Sequence, residues 1–262
     1  MIKVGIIGGS GIDDPKILKD FTKTKLHTPY GAPSDLVVQG KLEGVEVVII
    51  PRHGDSHRIQ PTAVNFQANV WAMKELGVTH LIGPTAVGSL REEIEPGHLV
   101  FLDQFIDRTT KRTATFYEGQ VVCHISMADP FCAEMNNVLV SVAEKLNIPH
   151  HKKGTVVTIE GPRFSTRAES HLFRSWGCDV INMSTATEAV LAREAGMCYA
   201  AIAMSTDYDC WKASEEAVTV EMVIATMTKN AEQVKKILAA AIPMLADNPD
   251  CACRTAIHSA LL

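Results

Sequence analysis

The 262-residue sequence has no basic excess, because 25 Lys and Arg stand against 30 Asp and Glu, for a formal net charge of −5. Without basic runs, nucleic acid and anionic membranes are poor candidates for a partner. No stretch reaches the roughly 18 uninterrupted apolar residues that a membrane-spanning helix needs. The glycine-broken apolar run 1–12 lacks the features of a signal peptide. We therefore expect a cytoplasmic protein whose partners are small molecules.

Cysteine is odd in number, with seven residues and no repeated spacing. Five of them lie in apolar or mixed segments: Cys123, Cys132, Cys178, Cys198 and Cys210. These are typical of reduced thiols that pack as small hydrophobic groups. Cys251 and Cys253 form a C-x-C pair near the end of the sequence, and a disulfide, a metal ion or neither are all open there. His53 and His57 do not predict a metal site, because Gly54 interrupts the helical spacing between them.

Linkers, repeats and low-complexity segments are also absent, so one continuous domain over residues 1–262 is the simpler interpretation. Short apolar runs alternate with segments of helical periodicity, which predicts an α/β fold on a central sheet. The predicted strands are Val4–Ile7, Val45–Ile50, His80–Gly83, Leu99–Phe105, Gly154–Ile159, Val180–Met183 and Tyr199–Met204. The predicted helices are Ala63–Leu76, Pro130–Leu146, Arg167–Trp176, Glu188–Ala195 and Val220–Leu245.

Polar clusters follow four of the predicted strands, at residues 8–11, 51–54, 85–89 and 205–209. In open α/β sheets, ligands bind at the carboxyl ends of strands. The first cluster, with Ser10 among three glycines, fits neither the dinucleotide fingerprint nor the P-loop pattern. It remains either an anion-binding turn with a hydroxyl or a tight turn alone.

The other clusters offer further groups for one tetrahedral anion. Arg52 and His53 leave the second strand together, and the planar fork of arginine matches phosphate oxygens. Thr85 and Ser184 add hydroxyl groups after two more strands. Taken singly, each of these is equally a solvated loop residue, a helix cap or a turn.

The acidic pair Asp207 and Asp209 follows the last predicted strand. A partly buried carboxyl there would keep a raised pKa and exchange a proton with a heterocyclic leaving group. A Mg²⁺ site is the competing interpretation, and the matching loops supply no further carboxylates for it. Together, the anion donors and the acid favour attack of phosphate on a neutral substrate.

At these residues the sequence resembles the trimeric purine nucleoside phosphorylase family, and most closely its branch acting on 5′-methylthioadenosine. The resemblance spans residues 2 to about 242. The motifs that carry it are GIIGGSG at 5–11, PRHG at 51–54, GSLREE at 88–93, DQFIDRT at 103–109, TIEGPRFS at 158–165 and AMSTDYDCW at 203–211.

The resemblance implies a single domain built on a mixed, twisted sheet flanked by helices. It implies phosphorolysis of 5′-methylthioadenosine to adenine and 5-methylthioribose 1-phosphate. The alternative within the family is a broader phosphorylase acting on adenosine, inosine or methylthioinosine. Inorganic phosphate is then a co-substrate, and no metal or organic cofactor is expected. A nucleosidase using water and a nucleotide sensor are the alternatives from other classes.

The family pattern also implies roles for individual residues. The phosphate ligands would be Ser10, Arg52, His53, Thr85, Ala86 and Ser184. The nucleoside would contact Phe164, Met183, Asp207, Asp209, Val220 and Val223. His124 would reach the site of a neighbouring subunit in a homotrimer or a dimer of trimers. A carboxylate at position 207 accepts a hydrogen bond from a 6-amino group and repels a 6-oxo group, which favours adenine nucleosides.

Overall fold

A computed structural model describes residues 2–9, 11–12, 14–212 and 220–262, and for 220–225 it describes the backbone only. The strands are β1 Lys3–Gly8, β2 Lys19–Thr24, β3 Val37–Leu42, β4 Val45–Pro51, β5 His80–Ser89, β6 Leu99–Phe101, β7 Gln104–Arg108, β8 His150–His151, β9 Thr155–Ile159, β10 Val180–Asn182 and β11 Cys198–Asp207. The helices are α1 Phe66–Glu75, α2 Ala133–Lys145, α3 Arg167–Ser175, α4 Thr185–Glu194, α5 Val220–Ala241 and α6 Ala252–Thr255.

The strands form one 11-stranded mixed sheet, which confirms the predicted fold class. Its main path runs β2-β3-β4-β1-β5-β10-β9-β7, while β11 pairs with β5 and β6, and β8 pairs with β6. β4, β1, β5 and β11 are parallel to one another, whereas β10 is antiparallel to β5. The central strands are buried on both faces, which explains why they are apolar throughout.

The strand predicted to end at Gly83 continues to Ser89. Its second half remains paired because β11 runs beside it as far as the Asp207–Gly88 register and β10 covers its other edge. The segment predicted as one strand, Leu99–Phe105, is divided between β6 and β7, which pair with different partners. Two further strands, β2 and β3, were not predicted because they lack the apolar runs by which we recognised strands. β2 is a polar edge strand and is entirely exposed.

All five predicted helices are present, with ends shifted by up to three residues except at the last. α5 stops at Ala241, ahead of a 3₁₀ turn that contains Pro243. Among the described residues, no helix combines the length and the hydropathy that a bilayer span requires.

The sheet brings several strand ends to one side. β1 and β4 end together at Gly8 and Pro51, and in the β1–β5 register this is the level just before Thr85. β10 runs antiparallel and ends near the same level, where α4 begins. The turns after β1, β4 and β10 therefore face the middle of β5.

Candidate active site

Thr85 and Ser184 lie side by side, although 99 residues separate them in the sequence. Their hydroxyl oxygens are 3.4 Å apart, and both side chains are buried. Thr85 lies within β5, and Ser184 precedes the first turn of α4 without capping it through its side chain. Two hydroxyls next to a helix N-terminus provide donors of the kind that a phosphate oxygen requires.

Asn182 binds the Thr85 hydroxyl and the backbone N–H of Ser184, and it was not predicted from the sequence. Its Nδ2 donates to Thr85 Oγ1 at 3.2 Å and to Thr185 Oγ1 at 2.6 Å. Its Oδ1 accepts from Thr158 Oγ1 at 2.9 Å and from the Ser184 N–H at 3.4 Å. The amide thus links β5, β9 and the start of α4 in one buried network.

Arg52 is buried directly after β4, with 2% of its side chain exposed. Its Nη1 donates to the Pro84 carbonyl at 2.9 Å and its Nη2 to the Ile7 carbonyl at 2.8 Å. Glu188 of α4 binds the same guanidinium through Nε and Nη2. These contacts hold the fork in one orientation next to the β1 turn, where a Cβ on Gly9 would lie 3.2 Å from Nη1.

Glu188 is a second residue that sequence reasoning missed. It is fully buried, and its Oε2 also accepts a hydrogen bond from the Tyr199 hydroxyl at 2.9 Å. Gly83 makes room for this network, because a Cβ there would clash with Tyr199 Oη and approach Glu188 Oε2 to 2.9 Å. A buried acid 136 residues from the arginine leaves no local pattern in the sequence.

His53 is held in the neutral form. Its Nδ1 carries the proton, since it donates to the Ile59 carbonyl at 2.9 Å. Burial and the neighbouring Arg52 lower the pKa of His53 to about 4. Its ring stacks on His57 with centroids 4.2 Å apart. Its Nε2 is therefore an acceptor at neutral pH.

A pocket of about 240 Å³ opens beside this histidine. The residues that line it are Gly8, Gly9, Gly11, His53, Gly54, Ser56 and His57. It is therefore formed by the turns after β1 and β4, which carry two of the four polar clusters noted in the sequence. A second hollow of about 250 Å³, lined by residues of β3 and β4 together with Lys3 and Asp20, contains none of the predicted site residues.

Asp207 ends β11 and is half-buried beside Gly88. Its Oδ2 accepts from the Thr206 hydroxyl at 2.6 Å, and its Oδ1 accepts from the Asp209 N–H at 2.8 Å. The chain turns at Asp209, where φ is +50°. Burial raises the pKa of both carboxyls, and the hydrogen bonds from Thr206 and Asp209 only partly oppose this for Asp207.

Met183 and Phe164, the other two residues predicted to contact the nucleoside here, differ in exposure. Met183 lies between Asn182 and Ser184, and its carbonyl accepts from Arg112 Nη1. Arg112 is itself paired with Glu160 at 3.1 Å. Phe164 follows the TIEGPR segment and is 51% exposed, so its ring is available to cover a ligand. The pairing of Arg112 with Glu160 was not predicted.

The remaining predicted site residues are Ser10, Ala86, His124, Val220 and Val223. Ser10 lies outside the described residues, and the side chains of Val220 and Val223 do too, although their backbone begins α5. Ala86 is half-buried in β5, next to Thr85. His124 is exposed, and its N–H donates to the Ala260 carbonyl at 2.8 Å. Within the part of the chain that the structure describes, no contact joins His124 to Arg52 or Asp207.

The arrangement combines a rigid cation and buried hydroxyls on one flank with two carboxyls of raised pKa on the other. Such donors can hold a tetrahedral anion, while a carboxyl whose pKa is raised is suited to sharing a proton with a departing base. The described residues around these loops bring no group of three or more metal-ligating side chains together.

Comparisons with known proteins place the chain in a family. A model of the phosphorylase superfamily matches residues 3–243. The S-methyl-5′-thioadenosine phosphorylase of Danio rerio is 59% identical over 249 residues, which cover 93% of this chain and 89% of that protein. The S-methyl-5′-thioadenosine phosphorylase of Thermofilum pendens is 51% identical over 261 residues, covering 100% and 99% respectively.

Solved structures agree with the sequence comparison. Methylthioadenosine phosphorylase from Schistosoma mansoni in complex with adenine superposes with a TM-score of 0.95 at 41% identity, covering 99% of both chains. A variant of the adenosine/methylthioadenosine phosphorylase from the same organism, in complex with methylthioadenosine, gives a TM-score of 0.94 at 40% identity and covers 99% and 98%.

Proposed function

The chain belongs to the phosphorylase superfamily, and we propose that its site cleaves 5′-methylthioadenosine with inorganic phosphate. The enzyme is a phosphate-dependent pentosyltransferase, and its products are adenine and 5-methylthioribose 1-phosphate. The observation that carries the proposal is the position of Asp207, an acid of raised pKa that ends the strand paired with the one bearing Thr85. Because Asp207 ends β11 and Thr85 lies in the neighbouring β5, this position supports binding of the purine and the phosphate next to each other.

Phosphate would be bound by Arg52, His53, Thr85, Ala86 and Ser184, with Ser10 added from the β1 turn. The 3.4 Å spacing of the two buried hydroxyls supports this, as does the orientation of Arg52. Neutral His53 presents the acceptor Nε2, which suits the O–H of a monohydrogen phosphate. Each well-placed donor would lower the barrier by roughly 3 kcal/mol.

In the reaction, a phosphate oxygen bonds to C1′ as the bond from C1′ to purine N9 breaks. The electron pair passes to the purine, and the Asp207 carboxyl protonates N7 or holds it by a strong hydrogen bond. The raised pKa keeps this proton available at a higher pH than for an ordinary aspartate. Asp209 would support Asp207, while Met183 and Phe164 would enclose the ribose and the purine.

The 5′ substituent would contact Val220 and Val223, because an apolar pair suits a methylthio group better than a hydroxyl. His124 would complete the neighbouring site in a homotrimer or a dimer of trimers, and its exposure on this chain supports that role. We further infer that residues 1–262 form one phosphorylase domain in the cytoplasm, and that phosphate is a co-substrate with no cofactor in the chemistry.

Product analysis tests the proposal. Purified enzyme is incubated with methylthioadenosine, with and without phosphate, and with inosine and adenosine in parallel. Adenine and a sugar 1-phosphate formed only with phosphate are expected, with little product from inosine. Free sugar without phosphate would indicate a nucleosidase, and faster cleavage of inosine would refute the role of Asp207. Comparable rates on adenosine would favour the broader phosphorylase, a specificity that the name of the Schistosoma protein includes.

A further inference from the structure

Four of the seven cysteines meet in the core at the start of β11, the end opposite Asp207. The ligand atoms of Cys132, Cys198, Cys251 and Cys253 all lie within 4.8 Å of one another. Each residue is at most 8% exposed. We call these four residues the thiol cluster. They come from three parts of the chain that are far apart in sequence, so local spacing revealed only the C-x-C pair.

Backbone contacts position the thiol cluster independently of its sulfur atoms. The Cys132 N–H donates to the Tyr199 carbonyl at 2.8 Å, which ties the start of α2 to β11. The Cys198 N–H donates to the Thr79 carbonyl at 3.0 Å. Cys251 precedes α6 and accepts from the Arg254 N–H at 2.8 Å, while Cys253 lies within α6. The four sulfurs therefore lie close together because the backbones of β11, α6 and the start of α2 are held next to one another.

The spacing of the sulfurs suits a tetrahedral metal ion. With Zn–S bonds of about 2.3 Å, the edge of a ZnS₄ tetrahedron is about 3.8 Å. The sulfurs of Cys132 and Cys251 are 3.9 Å apart, and the other pairs stay within 4.8 Å. Small side-chain rotations therefore complete the site. The all-thiolate, closed and buried set is typical of a structural zinc site.

We propose that the thiol cluster binds one Zn²⁺ ion as a structural tetrathiolate site. On binding, the four thiols release four protons and form four Zn–S bonds, which leaves a complex of net charge −2 with no change in oxidation state. Arg193, which is 6% exposed, supplies positive charge near Cys253. This metal takes no part in the proposed reaction. The prediction that the reaction itself uses no metal cofactor is therefore unchanged.

The position of the site indicates a structural role. β11 places Cys198 and Asp207 at opposite ends of a ten-residue strand, which spans about 30 Å. Zinc would instead fasten the C-terminal segment to β11 and to α2. That segment continues to Ala260 and Leu262, which pair through their backbones with His124 and Val122. The ion would thus fix the segment that positions His124.

Metal content tests this inference. The full chain is purified without a metal-affinity tag, kept reduced and measured by inductively coupled plasma mass spectrometry. We expect about one zinc per chain in the wild type and in Cys178→Ser, a buried cysteine outside the cluster. Cys132→Ser and Cys253→Ser should each lower the content at least about tenfold. Wild type without zinc, or variants that retain it, would overturn the proposal.

Two measurements on the wild type avoid dependence on variants that fail to fold. X-ray absorption at the zinc edge should give four sulfur neighbours at about 2.3 Å. Thiol titration after denaturation with a chelator should give all seven thiols. Three thiols and no metal would mean that the cluster forms two disulfides, and iron in place of zinc would refute the choice of ion.

Discussion

Glu188 binds Arg52 along one edge of its guanidinium, with Nε to Oε1 at 2.5 Å and Nη2 to Oε2 at 3.1 Å. Neither side chain is more than 2% exposed. An ion pair this deeply buried contributes little net stability while intact, but loss of one partner leaves a charge without compensation. The pair therefore fixes Arg52 beside the proposed phosphate. Removal of either partner is expected to lower the free energy of unfolding.

Glu188→Gln should lower the free energy of unfolding by about 3–5 kcal/mol, because the buried guanidinium loses its counter-charge. Urea denaturation measures the loss. The matched control is Glu46→Gln, which breaks the exposed pair with Lys3 and should cost less than about 1 kcal/mol. Similar losses of unfolding free energy in both variants would show that removing the buried counter-charge costs no more than removing the exposed one.

Asn182→Ala should raise the KM for phosphate about tenfold while changing the KM for the nucleoside less, because Thr85 loses a partner that orients its hydroxyl. Steady-state kinetics with phosphate varied measures the effect. Asn248→Ala, which removes exposed hydrogen bonds to Glu134 and from the Asp250 N–H, is the control and should leave both constants unchanged. An equal rise in both KM values for Asn182→Ala would argue for general disruption instead.

Asp207→Asn should lower kcat/KM for methylthioadenosine at least about 100-fold, because the amide cannot transfer a proton to N7. Activity on inosine should fall less, since an amide donates to a 6-oxo group. Parallel kinetics on both nucleosides give the ratio. Asp20→Asn, at an exposed position, serves as the control. An unchanged ratio would remove Asp207 from base recognition.

His53 should make stability depend on pH. Its pKa of about 4 in the folded chain lies below the usual 6.5. Between these values the unfolded chain binds the extra proton, so stability rises with pH across the window and is lost as pH falls. At about pH 5 the loss from this residue is about 2 kcal/mol.

His53→Gln removes that contribution. The stability difference between about pH 7.5 and about pH 5 should shrink by about 2 kcal/mol relative to wild type. Chemical denaturation at the two pH values measures it, and His27→Gln, an exposed histidine, should follow the wild type. A variant with the full wild-type pH dependence would contradict the neutral assignment of His53.

Thr187→Val should stabilise the protein by about 1 kcal/mol. Thr187 is fully buried in the first turn of α4, and its hydroxyl has no hydrogen-bond partner among the described residues. Valine has the same shape without the unpaired group. Thermal denaturation measures the gain, and Thr187→Ser, which keeps the hydroxyl, should show none. A loss with valine would mean that the hydroxyl is satisfied in solution.

The sequence alone determined where the apolar central strands and the five longer helices lie and which strand ends carry polar residues. Apolar runs such as Val45–Ile50 and Tyr199–Met204 form buried strands because a sheet covered on both faces requires them. Glycine and acidic residues that follow such runs are local features, and so they indicated the turns of the proposed site.

Only the tertiary structure decided which distant residues meet. The pairing of Arg52 with Glu188, the hydrogen bonds of Asn182 and the meeting of Cys132 with Cys253 each join separate elements. Periodicity encodes the burial of a residue but not its partner, because the partner depends on strand order and on the packing of helices against the sheet. The extension of β5 to Ser89 could not be predicted for the same reason. The residues after Gly83 carry no strand pattern of their own, and pairing with β10 and β11 holds them in the sheet.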